Sequence, residues 1–306
     1  MSAQPKHYFL LHLVVLIWGF TAVLGLLISI PSVEIVFYRT LFAAISLYLL
    51  LYFSNQPIRL APKPTLYIIA TGCLIGAHWI LFFGAARVAT ASVCLAGMAT
   101  SSLWTSLIEP FFYSKKIKFY EVALGVVVIV GLYIIFRFEF DHALGLAMAI
   151  ASAILASFFT VINSKFTKHH YHYTITLYEM VGAFLFTLLF LPFYTSFISE
   201  GIVQWLPTLL DGVYLLILVL LCTVYAYSAS VQLMKYVSAF AVNLTNNMEP
   251  VYGILLALII LGDDEQMTPG FYLGTSIILI SVLAYPLIRR YYRKKLNRMR
   301  VAKQHE

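Results

Sequence analysis

One stretch of the sequence gathers side chains that are costly to bury alone. Asn243, Asn246, Asn247 and Pro250 follow the spacing i, i+3, i+4, i+7, which puts them on one helical face; Thr245 and Glu249 stand four apart on an adjoining strip. In lipid, a charged residue at mid-helix costs roughly 2.5–3.5 kcal/mol even on lenient insertion scales. Such a face must therefore border protein or a water-filled cavity. Pro250 donates no N–H and disturbs the bond that the Asn246 carbonyl would otherwise accept. The chemistry on offer is recognition: amides and a freed carbonyl for polar atoms of a ligand, and Glu249 for an amine or a proton. The competing reading is helix–helix glue, in which Ser and Asn bridge neighbouring helices.

A second polar face carries Ser102, Thr105, Ser106 and Glu109 at the same spacing. Trp18, His78 and Trp79 lie halfway along apolar stretches, away from the interfaces where aromatic anchors sit. Tyr225 and Tyr227 hold the matching place later in the chain. These rings are either core packing or a stacking surface for a ligand. A midplane His78 is either a proton relay or simply hydrogen-bonded. Arg39 is placed near the outer end of its helix, one turn from Glu34, and Glu179 near the inner end of another, close to Lys165 and Lys168. Gate salt bridges and snorkelling to the interface are both open for this pair, and snorkelling is the simpler. His169, His170 and His172 lack partner carboxylates or thiols and read as a solvated loop, so no metal site is expected. Cys73, Cys94 and Cys222 are isolated and read as packing residues. No Walker A or HExxH sequence, and no serine–histidine constellation, is present. No catalytic residue and no cofactor is therefore assigned, and an enzyme is not expected.

The elements that must position these groups follow from composition. The 306 residues are 61% hydrophobic and 11% charged, against about 25% charged in soluble domains, so the expected solvent is a lipid bilayer. Apolar stretches long enough to span it occur at 8–29, 34–53, 66–87, 91–113, 119–136, 143–164, 174–196, 210–234, 238–261 and 269–289. The fold class is thus all-α, a polytopic membrane protein of about ten helices. The first stretch is read as a retained helix, since it is longer than a signal-peptide core and no cleavage site follows. Connections are short, the longest expected at 54–65. With the N-terminus inside, 17 of the 20 Lys and Arg fall on the cytoplasmic side, among them the run from Arg289 to Lys303. The positive-inside rule then puts both termini in the cytoplasm. A basic tail over 290–306 reads as an anionic-lipid anchor, which accounts for the net charge of +7 without nucleic acid.

The chain also repeats itself. An offset of 148 brings Arg87 onto Lys235 and Ala91 onto Ala239, and nearly the same offset brings Gly125 onto Gly274. Five helices per copy is an odd number, so the second copy inserts upside down. The expected units are 1–140 and 141–289. Gly72-x-x-x-Gly76 and Gly270-x-x-x-Gly274 permit close helix contact, and a homodimer through the second is one use of it.

The order of Trp18-Gly19, Tyr38-Arg39, Gly84-Ala85-Ala86 through Ala89-Thr90-Ala91, Val237-Ser238-Ala239, Glu249-Pro250 and Gly262 resembles the drug/metabolite transporter superfamily, in its ten-helix branch with two EamA-type repeats. The resemblance implies a central cavity lined by helices 1–4 and 6–9, with 5 and 10 peripheral, and alternating access; short loops and the absence of disulfide spacing suit a bacterial inner membrane. The resemblance further implies export of small metabolites such as amino acids, with Trp18, His78, Trp79, Ser102, Tyr225, Asn246 and Glu249 near the substrate. A nucleotide-sugar or drug carrier of the same fold is the alternative; an anionic sugar nucleotide wants a basic residue deep in the cavity, and none is clearly central. A receptor or an intramembrane enzyme is the alternative of another class. Ser102 stands where the first repeat often has a proline, so helix 4 is expected to bend differently from helix 9.

Overall fold

The structure, a computed structural model, describes residues 4–113, 119–199 and 203–302. Lys115, Lys116, Lys118, Glu200 and Lys303 lie outside them. Among the described residues the regular structure is helical throughout. In chain order the spans are α1 (Pro5–Leu27), α2 (Ser32–Phe53), α3 (Pro62–Val88), α4 (Ala91–Tyr113), α5 (Phe119–Phe138), α6 (Ala143–Phe166), α7 (His172–Phe197), α8 (Leu209–Leu233), α9 (Ala239–Asn246, resuming as Glu249–Leu261) and α10 (Pro269–Ala302). Eight of them are long and apolar enough to cross a membrane; α5 and α10 contribute the shorter apolar stretches Ala123–Phe138 and Pro269–Ser281. Leu209 is 92% and Phe111 82% exposed, as side chains facing lipid are. The protein is therefore a polytopic all-α membrane protein.

Two expectations about the connections change. Helix α3 starts at Pro62, where proline suits a first turn, so the α2–α3 link is shorter than expected and the α7–α8 link, between Phe197 and Leu209, is longer. Beyond Arg289, α10 continues as helix to Ala302, so the basic segment is helical rather than a loose tail.

Small residues set the helix crossings. A Cβ added to Gly182 of α7 would run into the Ile69 carbonyl of α3, and one added to Gly72 would run into the Glu179 carbonyl. In α5 and α10, an added Cβ at Gly131 would lie 2.9 Å from the Gly274 oxygen, and one at Gly274 would lie 2.7 Å from the Gly131 oxygen. The Gly270–Gly274 face is thus filled by α5 of the same chain, with Phe138 over Gly270. It leaves no room for the dimer contact envisaged for it.

The second repeat echoes the first in its breaks. Helix α9 tightens at Asn247–Met248, where Asn247 N–H bonds Leu244 O; α4 tightens at Ala99–Thr100, where Thr100 N–H bonds Gly97 O. These positions are 148 apart. Helix α4 thus breaks where α9 does, without a proline, against the expectation that it would bend differently. The Thr100 hydroxyl donates to Gly97 O at 2.8 Å and stabilises the tightened turn in its place.

Gly182→Leu is expected to abolish the monodisperse size-exclusion peak of the detergent-solubilised protein, because the obstacle is backbone. Gly212→Leu, whose added Cβ meets nothing within 4 Å, is expected to leave the peak in place.

Candidate substrate cavity

The broken and widened helices surround a cavity of about 750 Å³ of empty space, its open mouth included. Helix α1 contributes Trp18 and Thr21, α2 Arg39, and α3 His78, Trp79 and Phe82. Helix α4 adds Met98 and Ser101, and α6 Ala156, Phe159 and Thr160. Helix α8 adds Tyr227, Ser230 and Met234, and α9 Val242, Asn243, Asn246 and Glu249. The wall comes from both repeats. Helix α7, which the resemblance counts among the lining helices, stands one layer behind.

The aromatic walls brace each other. Tyr227 lies 6.1 Å from Trp79, 6.4 Å from Trp18 and 6.3 Å from Phe159 between ring centroids, separations at which tilted and edge-to-face rings attract. The Trp18 indole N–H donates to the Cys222 carbonyl at 3.1 Å. That carbonyl belongs to a stretch of α8, Ile217–Tyr227, wound in the wider π form, a form that favours functional sites.

Arg39 is not at an interface. It is 3% exposed, with its guanidinium 3.6 Å above the Trp79 ring. Its Nε–H donates to Thr223 Oγ1 at 2.8 Å, and Thr223 passes its own proton to Leu218 O at 2.8 Å. Snorkelling and a Glu34 gate bridge are both excluded: the side chain turns inward, where the tryptophan face and the hydroxyl compensate its lost hydration. A basic residue is therefore central after all.

Glu249 lines the same cavity, and its carboxylate accepts no hydrogen bond from a described residue. Beside it, Asn246 Nδ2 donates to Asn243 Oδ1 at 3.3 Å and Asn243 Nδ2 to Thr105 Oγ1 at 2.6 Å, which leaves Asn246 Oδ1 buried without a donor. Thr105 thus holds Asn243 from behind the wall. Ser102 is buried without facing the cavity, and Asn247 sits at the α9 break, fully buried with both amide atoms unpaired. Pro250 opens the second piece of α9.

His78 Nδ1 lies 3.0 Å from the Ser152 carbonyl and 2.7 Å from its hydroxyl, which itself donates to His78 O at 2.9 Å. A carbonyl only accepts, so Nδ1 carries the proton, and the imidazole is locked to α6. Tyr225 does not join the cavity: it is 42% exposed, while Tyr227, two residues on and hence on the opposite side of the helix, lines it. Glu179 is not beside Lys165 and Lys168, whose ammonium groups lie over Phe112 and Tyr113. It is fully buried behind Tyr227, whose hydroxyl donates to it at 3.2 Å. The three histidines of the 169–172 loop diverge. His169 is exposed and His172 is buried against Tyr173, while burial and the adjacent His169 hold His170 below its ordinary pKa. Thr21, Phe82, Met98, Ser101, Phe159, Thr160 and Ser230 line the cavity without having been singled out; their types are ordinary for a helix interior, and only the fold brings them together.

The sequence profile of the EamA-like transporter family matches the chain twice, over residues 5–137 and again over 143–285. The chain belongs to the EamA-like transporter family. A solved structure, described only as the crystal structure of a protein, superimposes with a TM-score of 0.67 over 94% of this chain and 99% of its own, at 13% identity; at that identity it speaks for the fold alone. No curated protein matches significantly. In this EamA-like protein the two repeats are tied at the end opposite the termini by carboxylates. Asp211 accepts from Ser29 N at 2.6 Å, Ser29 Oγ at 2.7 Å, Thr208 N at 2.8 Å and Thr208 Oγ1 at 2.7 Å. Glu265 accepts from Ala91 N and Ser92 N at the start of α4, Glu139 from Thr268 at the start of α10, and Glu34 from Gln204 N. Acceptors at helix N-termini are favoured there. At the termini end, neutral pairs join the repeats: Tyr113 with Ser164 at 2.6 Å, and Thr174 donating to Pro57 O at 2.5 Å.

Asp211→Asn is expected to cost about 2 kcal/mol or more, because it weakens several hydrogen bonds to a charged acceptor. Glu249→Gln, with no such bond to lose and only its more distant field on Arg39 given up, is expected to cost markedly less. Thermal unfolding in detergent, followed by tryptophan fluorescence, checks the contrast; equal losses in the two variants would contradict it.

Proposed function

We propose that this protein is a secondary transporter of small zwitterionic metabolites, amino acids foremost, working by alternating access and exporting them across the inner membrane, with both termini in the cytoplasm. The observation that carries the reading is the placement of Arg39 and Glu249 in one aromatic-walled cavity near the middle of the spans. A guanidinium suits a carboxylate, and a carboxylate without a hydrogen-bond partner suits an ammonium. Both charges then gain a partner in a site shielded from water, and the ligand's apolar part meets Trp18, Trp79, Phe82 and Phe159. Asn243 and Asn246 supply amide atoms, the unpaired Asn246 Oδ1 among them. Inverted repeats around a midplane site are the architecture on which alternating access works. In the proposed cycle the carboxylate clasps at the end opposite the termini and the neutral pairs at the termini end release in turn. A sugar nucleotide gains from Arg39, but its phosphates face the Glu249 carboxylate, so this reading ranks second.

Counterflow in proteoliposomes with a panel of labelled amino acids tests the function; no exchange by folded protein would overturn it. For an exchanged amino acid, Arg39→Gln and Glu249→Gln are each expected to weaken binding at least tenfold, or about 1.4 kcal/mol. Its N-acetyl derivative is expected to become insensitive to Glu249→Gln, and its amide insensitive to Arg39→Gln. Quenching of tryptophan fluorescence gives the affinities.

A further inference from the structure

Behind the cavity wall lies a polar group that substrate recognition does not use. Glu179 of α7 is fully buried, and among the described residues no cation pairs with it. Its position is fixed from two sides. The α3–α7 crossing leaves no space at Gly72, whose added Cβ would meet the Glu179 carbonyl. The Tyr227 hydroxyl donates to Glu179 Oε2 at 3.2 Å while accepting from Asn163 Nδ2 at 3.1 Å. Glu179 Oε1 is buried with no donor, and so is Asn163 Oδ1 in the same cluster. A proton on the Glu179 carboxyl removes its charge from the membrane interior. A bare carboxylate would leave Oε1 a charged, unpaired acceptor there, at a penalty of about 1–3 kcal/mol for an unsatisfied group and more for a charged one.

Among the described residues the surroundings give no competing counter-charge. Helix α2 presents Arg39, which is spent on Trp79 and Thr223. Helix α3 presents His78, locked on Ser152. Helix α6 presents Asn163, with Lys165 turned toward Phe112 and Tyr113. Helix α8 presents Tyr227 and Cys222, and α7 itself carries Tyr178, with His172 and Tyr173 nearer its start. Of these, Tyr227 touches Glu179 on one face and the cavity on the other.

We infer that Glu179, reached through the Tyr227 hydroxyl, is the proton-carrying site that couples transport to a proton gradient, distinct from the substrate-binding Glu249. The inference rests on the transporter reading above. On discharge the Tyr227 hydroxyl turns away from Glu179 Oε2 and releases its proton to cavity water, while the carboxyl turns its own proton onto the tyrosine oxygen it faced. The net change is one proton moved from carboxyl to water, leaving a carboxylate and a neutral phenol. The ring of Tyr227 faces Trp18, Trp79 and Phe159, so a ligand among those rings bears directly on the hydroxyl's position.

The test uses purified full-length protein in proteoliposomes and in detergent. Infrared difference spectroscopy between acid and alkaline pH is expected to show the C=O band of a protonated carboxyl, lost in Glu179→Gln and retained in Glu249→Gln. This readout needs no substrate, so it stands even if no labelled amino acid is exchanged and the transporter reading falls. With an exchanged amino acid, Glu179→Gln is expected to keep counterflow while losing at least tenfold of the accumulation driven by a pH gradient. Tyr227→Phe is expected to slow gradient-driven uptake with the infrared band still present. The inference is overturned if Glu179→Gln retains full gradient-driven accumulation, if the band survives in Glu179→Gln, or if accumulation follows a sodium gradient rather than pH. Loss of counterflow by folded Glu179→Gln, its melting curve matching the wild type, would also overturn it, since that result marks a binding role.

Discussion

The arrangement depends on burying a guanidinium among apolar helices. An uncompensated charge there is prohibitively costly, and among the described residues no carboxylate makes a direct ion pair with Arg39. The compensation is assembled from parts: the face of Trp79 at 3.6 Å, the Thr223 hydroxyl at 2.8 Å and the more distant field of Glu249. Each comes from a different helix, so α2, α3, α8 and α9 must all be in register for Arg39 to be tolerated. The same requirement keeps Trp79 and Tyr227 in place, and with them the aromatic wall. Cavity and fold are in this sense one construction.

The π stretch of α8 is the local device that makes this possible. In a regular α-helix Thr223 would take up its proton-accepting partner four residues back; here its hydroxyl bonds Leu218 O, five residues back. The wider winding lets Cys222 offer its carbonyl to Trp18 and Thr223 its oxygen to Arg39 on the same side. Tyr227, at the repeat-related position of Trp79, faces the cavity, while Tyr225, two residues before it, faces outward.

Much of the fold is legible in the sequence because a bilayer demands long apolar stretches whose boundaries are marked by charge and proline. The helix positions and the 148-residue offset follow from that demand, and the offset even locates the twin breaks in α4 and α9. The Asn243, Asn246 and Glu249 cluster is legible for a related reason: polar groups in a span must face protein or water. What could not be read is orientation within the layer. Arg39 and Glu179 carry the same composition signal whether they snorkel or turn inward, and only the partners on other helices decide. Thr223, Thr21 and Ser230 are ordinary small polar residues whose importance is positional. With Arg39 turned inward, the cavity holds a basic residue that an anionic group can meet.

The two buried carboxylates then part company on physical grounds. Glu249 borders empty space and has no hydrogen-bond partner, so a cation entering the cavity can approach it at no structural cost. Glu179 borders a hydroxyl and an amide in a closed layer, where a ligand cannot reach it but a proton can. A cavity that binds a zwitterion needs its substrate-facing carboxylate charged throughout the cycle. Gradient coupling needs a group whose charge changes. One carboxylate cannot readily do both without releasing the ligand each time it takes up a proton. On the proposed reading, separating them by the width of one tyrosine ring would let binding and protonation influence each other through Tyr227 without competing for the same oxygen atoms.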